Sequence, residues 1–581
     1  MVERRARVII YLVLALLPLA LFWGGFFGLD LAHRHGYGTA PDGENYLFKW
    51  LPHQVAFYGF CGLLGFSCYF ATLALRSYST AIVARLRRVS ISKSVLWLSL
   101  FAAVMTALFS FGVLRRTPIT DDEGAYLFSA KTLATGQLYA PEQPEPRMYD
   151  NVFLVNNGRM FSQFTLGHPA MLAPFVKFGA ARMLPVILAF CCVAMMFLCA
   201  RALFGVIEAI AATFLLATSP FFIATGATLL AHLDCLFWLL LFVWTTVELM
   251  QDGGKGNAAF AALGFSMAFF VRSASALLIG GPLLILLAAH LLARFRERKA
   301  ETAVFAGVSA LFATLYLGAN IELNGSPFRT SYETLWRDRT NGTLLGFGEK
   351  IWGIHYTPGR AFSALTQNLT RFALWLHGGP TSLAPLLFWA MSPSKRKIEW
   401  ALFAPLLLVP GFLFFYFWPG VADTGPVLYY ELLLPACLLG GRGLVYLFGR
   451  IPKTAPALTL SCLAVSMLAF VPAQAITIYN TATRAGEPER FVSEQIPGKA
   501  VVFCSEPIKR SLYNKVTLVD SWRSAHPYNS PDLSDRIIWL HYIKPLYEYD
   551  PLVAHRDKYM PDRKAFILSY ENGEPVLLSL E

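Results

Sequence analysis

Apolar runs of about twenty residues, separated by short polar stretches, recur along nearly the whole chain, the length a helix needs to cross a bilayer. In lipid the backbone must satisfy its own polar groups, so each run predicts a helix. Runs near residues 8–30, 52–75, 94–114, 183–201, 204–222, 226–249, 258–271, 275–293, 302–321, 374–390, 400–418, 429–447 and 455–477 predict thirteen transmembrane helices. Polar loops 115–167 and 322–373 and a polar tail, 480–581, interrupt or follow them. In the tail, Val501-Val-Phe503 and Lys564-Ala-Phe-Ile-Leu-Ser569 predict strands, and Ser530-Pro-Asp-Leu-Ser534 predicts a turn or helix cap. The expected fold class is an all-α polytopic membrane protein with about thirteen transmembrane helices and a small α/β C-terminal domain. Three units follow: two N-terminal helices in 1–90, the main membrane domain in 91–479, and a soluble domain in 480–581.

Composition agrees. Of 581 residues, 55% are hydrophobic and 15% charged, with mean hydropathy +0.48, which excludes an ordinary soluble enzyme. The net charge of +12 is no sign of nucleic-acid binding, because no basic stripe exists and much of the Lys and Arg sits in short loops. Arg76, Arg85, Arg87, Arg88 and Lys93 form one such loop, and Arg294–Lys299, Lys395-Arg-Lys397 and Arg450 with Lys453 form three more. Basic loops face the cytoplasm. The run at 94–114 therefore points outward, and both long loops and the tail are expected outside, with the N-terminus inside. Arg4-Arg5-Ala-Arg7 precedes an apolar run too long for a signal peptide and without a small-residue cleavage site, so it reads as a retained span. Eight of nine Cys lie in or beside apolar runs and only Cys504 is in the tail, which gives no disulfide framework.

Ile119-Thr-Asp-Asp-Glu-Gly-Ala-Tyr-Leu-Phe128 places three carboxylates, Asp121, Asp122 and Glu123, just beyond an apolar run. Tyr126, Leu127, Ala130, Leu133 and Ala134 then follow helical spacing. Thr120 can cap that helix with Glu123 as its capping-box partner. Taken alone, this is also the pattern of an ordinary helix start with two solvated acids. Other polar residues map to the same expected face: His168, His232 with Asp234, Arg272, His355 in the second loop, and Tyr429-Tyr-Glu431. A charge beside an apolar segment needs a partner. For Arg272 the alternatives are Glu431, Asp423 or the phosphate of a lipid ligand. No Gly-Lys-Ser/Thr phosphate loop, His-Glu-x-x-His or Gly-x-Ser-x-Gly occurs, which argues against a soluble nucleotide and for an activated lipid. A transporter or flippase for a lipid-linked or anionic substrate is the rival class. Transporters gather ionisable groups near mid-membrane, whereas this chain gathers them at one face.

Asp121-Asp-Glu-Gly-Ala-Tyr-Leu-Phe-Ser-Ala-Lys-Thr-Leu-Ala-Thr-Gly136, Phe164-Thr-Leu-Gly-His-Pro169, Gly264 to Arg272 and Gly425-Pro-Val-Leu-Tyr-Tyr-Glu431 resemble the GT-C superfamily of polyprenyl-phosphate-dependent glycosyltransferases. Within it they resemble glycosyltransferase family 39, the bacterial protein-mannosyltransferase-like and aminoarabinose-transferase-like branch. Two spans before the acidic motif, and the lack of an Arg beside the Tyr pair, depart from that pattern. The resemblance implies a GT-C-type fold and an inverting enzyme in the bacterial plasma (inner) membrane. It would move a sugar from a polyprenyl-phosphate donor to a hydroxyl on a lipid, glycan or protein. Asp121 or Asp122 matches the essential Asp of the first loop and would act as general base, with Asp121 the first choice and the pair inseparable by sequence. Arg272 would bind the donor phosphate, and Tyr429, Tyr430, Glu431 and His355 would line the donor or acceptor pocket. Glu123, His168 and His232 would orient the site, or one carboxylate with a His would hold a divalent metal. No other cofactor is implied.

Overall fold

The computed structural model describes residues 2–28, 46–76, 78, 90–145, 148–149, 153–337, 345–350, 355–379, 381–505, 529–542, 549–571 and 574–580. The basic residues Arg85, Arg87 and Arg88 lie outside the described residues. Among the described residues nine helices are long and apolar enough to cross a membrane, and ten if a bent pair counts as one span. That is fewer than the thirteen expected, and the differences have local causes. The run at 204–222 is the bent pair, Val206–Ala217 and Pro220–Gly226, meeting at 52°. Ser219 caps the second piece by accepting from the Phe222 amide, and Pro220 opens it. The run at 374–390 is not one continuous helix. Helix Pro358–His377 stops at Gly378, whose left-handed φ of 72° closes a helix end, and an eight-residue helix, Ala384–Met391, follows. The runs at 52–75 and 258–271 correspond to the shorter apolar helices Gly62–Leu75 and Lys255–Val271.

The two N-terminal helices, Val2–Gly28 and Tyr46–Leu75, pack on each other and on the last membrane helix. Ser67 Oγ donates to the Ala15 carbonyl at 2.7 Å, and Trp23 Nε1 donates to Leu468 O at 3.3 Å. Phe22, Leu64 and Cys68 share a core with Val465, Ala469 and Ala473.

The polar tail forms a four-stranded sheet. Ala500–Ser505 lies between parallel neighbours Ile537–Tyr542 and Lys564–Glu571, and Glu574–Ser579 pairs antiparallel at the edge. Both strands expected from sequence are present. Successive side chains alternate between two cores, as a strand requires. Val501, Phe503, Ile538, Leu540 and Ile567 face one core, and Val502, Cys504, Trp539 and Leu568 face the other. The first of these cores also contains Ala125 and Phe128 of the surface helix Asp121–Ala134, with Met148, Tyr149, Leu154 and Met160 of the first long loop. A further core joins Val155 and Phe161 of that loop to Leu335, Trp336 and Tyr356 of the second. Trp336 Nε1 donates to Gln163 Oε1 at 2.7 Å across the same junction. Both long loops and the tail therefore make one packed cap at one end of the helices. Packing, not span counting, puts them on the same side.

Replacing Phe128 with Ala should cost about 3–5 kcal/mol, the usual cost of emptying a buried aromatic site. The protein should melt earlier and its C-terminal sheet should become sensitive to protease, both read on the purified protein in detergent.

Candidate active site

The surface helix starts as its sequence dictates. Thr120 is extended, its hydroxyl accepts from the Glu123 amide, and Glu123 Oε1 accepts from the Ile119 amide at 2.9 Å. Glu123 is completely buried. Its other oxygen accepts from the Leu229 amide at 2.8 Å and pairs with Arg182 Nη1 at 3.5 Å. Arg182 Nη1 also donates to the Ala227 carbonyl at 3.3 Å. His168 completes the grip on this turn: Nε2 meets the Leu229 carbonyl at 2.9 Å and Nδ1 meets Asp234 at 3.2 Å. The Leu229 carbonyl can only accept, so Nε2 donates to it. The turn between Gly226 and His232 is thus held by groups from three helices.

The next residue beyond that turn sets the cationic group. His232 Nδ1 lies 3.0 Å from Glu431 Oε1, and the same oxygen accepts from Arg272 Nε at 3.0 Å. Arg272 sits where helix Lys255–Val271 breaks, with φ −152° and ψ 89°, before the chain turns back into Ser273–Ala293. The break leaves carbonyls without helical partners. Thr165 Oγ1 donates to one of them, Val271 O, at 2.9 Å. Gly167 lets the two backbones meet: a Cβ there would lie 2.6 Å from the Phe270 carbonyl carbon. Arg272 is thereby fixed by Glu431, Thr165 and Gly167, while its side chain remains 19% exposed and able to meet a ligand.

Asp121 and Asp122 open the helix, both half-buried. Asp122 and Arg272 interact electrostatically, and Tyr126, one turn along the same helix face, also feels the Arg272 charge. Tyr126 stacks on Phe164 with ring centres 4.5 Å apart and sets its edge against His168. Tyr332 and Tyr416 share a hydroxyl hydrogen bond of 2.8 Å, and both feel the Asp122 charge. Burial pushes the Asp122 pKa up to about 6, against the pull of Arg272 and with the Glu123 charge adding to the rise. The arrangement offers a proton acceptor with near-neutral affinity beside a guanidinium, with phenols around them.

The remaining sequence candidates separate. Tyr429 and Tyr430 are buried, and the Tyr430 hydroxyl donates to the Phe222 carbonyl at 3.1 Å, so the pair supports the core. His355 is exposed in a hairpin and pairs with Glu349 at 2.6 Å. Glu123, His168 and His232 are each engaged by protein groups, and among the described residues no three His, Cys, Asp or Glu side chains group as a metal site. Sequence reasoning overlooked Thr165, Gly167, Arg182, Tyr126, Tyr332 and Tyr416. Only Tyr126 carried a readable signal, its four-residue spacing from Asp122.

No protein-family model matches this chain, and no curated protein does. Solved structures do. ArnT of Cupriavidus metallidurans, bound to undecaprenyl phosphate, matches with TM-score 0.50 and 12% identity over 84% of this chain and 98% of ArnT. The apo oligosaccharyltransferase of Archaeoglobus fulgidus matches 82% of this chain and 69% of its own, at 11% identity and TM-score 0.36. The arabinosyltransferase EmbB of Mycobacterium smegmatis matches 76% and 45%, at 13% identity and TM-score 0.38. The likeness to ArnT shows a shared fold.

Gly167→Ala should force the Phe270 backbone away and destabilise the protein by about 1–3 kcal/mol. Thermal unfolding of the purified variant checks this. An unchanged melting temperature would mean that the close approach does not hold the Arg272 break in place.

Proposed function

We propose that this chain is an inverting glycosyltransferase that moves a sugar from a polyprenyl-phosphate donor to an acceptor hydroxyl on a lipid, glycan or protein. The observation that carries the reading is the meeting of Asp122 and Arg272 in one site at the capped end of the membrane helices. The fold shared with ArnT supports it, and the ArnT structure holds a lipid of the proposed class, undecaprenyl phosphate. In the proposed reaction the acceptor oxygen attacks the anomeric carbon, and an aspartate takes its proton. The bond from that carbon to the donor phosphate breaks, and its electron pair leaves on the phosphate. Arg272 offsets the charge appearing there. One displacement inverts the anomeric centre. Asp122 is taken as the base, because its charge reaches Arg272 and the three tyrosines, and neighbouring Asp121 is the alternative. Glu123, His168 and His232 are positioning residues in this scheme.

Asp122→Asn should lower sugar transfer about 10²–10⁴-fold, the usual contribution of a general base, with the protein still monodisperse. Arg272→Gln should weaken donor saturation instead. Near-wild-type turnover in both Asp121→Asn and Asp122→Asn would remove the base assignment. The base works only when ionised, so transfer should fall as pH drops through about 6. A flat profile from about pH 5 to 8 would contradict that role.

The site belongs, in this proposal, on the extracytoplasmic face with the N-terminus inside. The Lys and Arg of the loops support this orientation. A cysteine at exposed Gln137 suits the test better than one at Gly136, whose φ of 82° resists a side chain. Gln137→Cys should react with a membrane-impermeant thiol reagent in intact cells. Reaction only after permeabilisation would reverse the orientation.

A further inference from the structure

The first span from this cap ends in an unusual way. Helix Ile91–Ala107 continues through a π-helical stretch, Leu108–Val113, and closes with the Arg116 amide bonded to the Ser110 carbonyl at 3.1 Å. Such a closure needs left-handed backbone, normally supplied by Gly. Here two consecutive arginines supply it, Arg115 at φ 52° and Arg116 at φ 62°. The closure explains the backbone and not the choice of side chain, since a residue with a Cβ is strained there.

The Arg115 side chain reaches the end of another span, Ala455–Ala485, while Arg116 stays beside its own helix. Arg115 Nη1 donates to Thr483 Oγ1 at 3.3 Å and its guanidinium lies 5.6 Å from the centre of the Tyr479 ring. Arg490 reaches the Thr483 carbonyl from the other side. Arg116 lies 5.2 Å from the centre of the Phe111 ring. Among the described residues no ion pair involves Arg115, Arg116 or Arg490, and Glu489 interacts with Lys131 as well as Arg490. With Glu489 shared between Lys131 and Arg490, the cations of this group outnumber its carboxylates, and like charges repel unless an anion joins them. Arg115 and Arg116 follow the end of one span at Val113, and Arg490 follows the end of another at Ala485, beside half-exposed Tyr479, where aromatic and cationic residues meet headgroups.

We infer that Arg115, Arg116 and Arg490 hold the phosphate of an anionic membrane phospholipid. Planar guanidinium forks suit phosphate oxygens, and headgroup phosphates lie at the depth where spans end. The site is separate from Arg272 and does not depend on the sugar-transfer reading.

The test is native mass spectrometry of the full-length protein titrated with phosphatidylglycerol or phosphatidylcholine. The wild type should retain phosphatidylglycerol preferentially. The double variant Arg115→Gly/Arg116→Gly should lose roughly ten- to thirtyfold in that retention, with phosphatidylcholine unchanged. Glycine adopts the required backbone freely, so the melting temperature should hold or rise. Arg296→Gln, an exposed arginine between other spans, should retain phosphatidylglycerol as the wild type does. Equal retention in the double variant, or an equal loss in Arg296→Gln, would overturn the site. Displacement of phosphatidylglycerol by millimolar inorganic phosphate would assign the site to a free anion and overturn the lipid. The readout needs no transfer activity, so an inactive protein that retains lipid leaves this inference standing.

Discussion

Glu123 is a carboxylate sealed from water, and the candidate site hangs on how its charge is satisfied. A buried charge without partners costs several kcal/mol. Here one oxygen closes the helix start through the Ile119 amide, and the other binds the Leu229 amide and Arg182. The Leu229 turn leads to His232, His232 holds Glu431, and Glu431 holds Arg272. Arg272 returns to the starting helix through its electrostatic interactions with Asp122 and Tyr126. The contacts close a ring. Shifting any member moves the geometry between Asp122 and Arg272, so these groups are set before a substrate arrives. That is the preorganisation a charged displacement needs.

The ring lies under a cap, and the cap explains its burial. Phe128 and Ala125 on the surface helix join a core with the C-terminal sheet. Val155 and Phe161 join another with the second loop. Tyr332 and Tyr416, which approach Asp122, come from that second loop and from the end of span Lys397–Phe414. Extramembrane packing thus brings phenols from distant sequence to the acid, and removes enough water to raise its pKa.

Much of this was legible in the chain. Thr120 and Glu123 follow a capping pattern whose physics is local, and the structure realises it. Strands at Val501 and Lys564 followed from residue type. Glu431 was one of two acids within reach of Arg272, and it is the one that pairs. Span boundaries were less legible because hydropathy does not sense backbone breaks: Gly378 ended one expected span and Ser219-Pro220 bent another. Tyr429 and Tyr430 drew attention as polar tips at a span start, yet their rings fill the core. Thr165 and Gly167 were invisible in role, because a carbonyl orphaned at Arg272 and a backbone approach at Phe270 exist only in three dimensions. His355 was polar and well placed in sequence, and lies exposed in a hairpin.

The most direct measurement of the central claim is a structure of the full-length protein with a polyprenyl phosphate bound. The account predicts the phosphate at Arg272, within reach of Asp122, with the isoprenoid chain running down between membrane helices. A phosphate bound at the opposite end of the helices, or at the capped end without contact to Arg272, would contradict it.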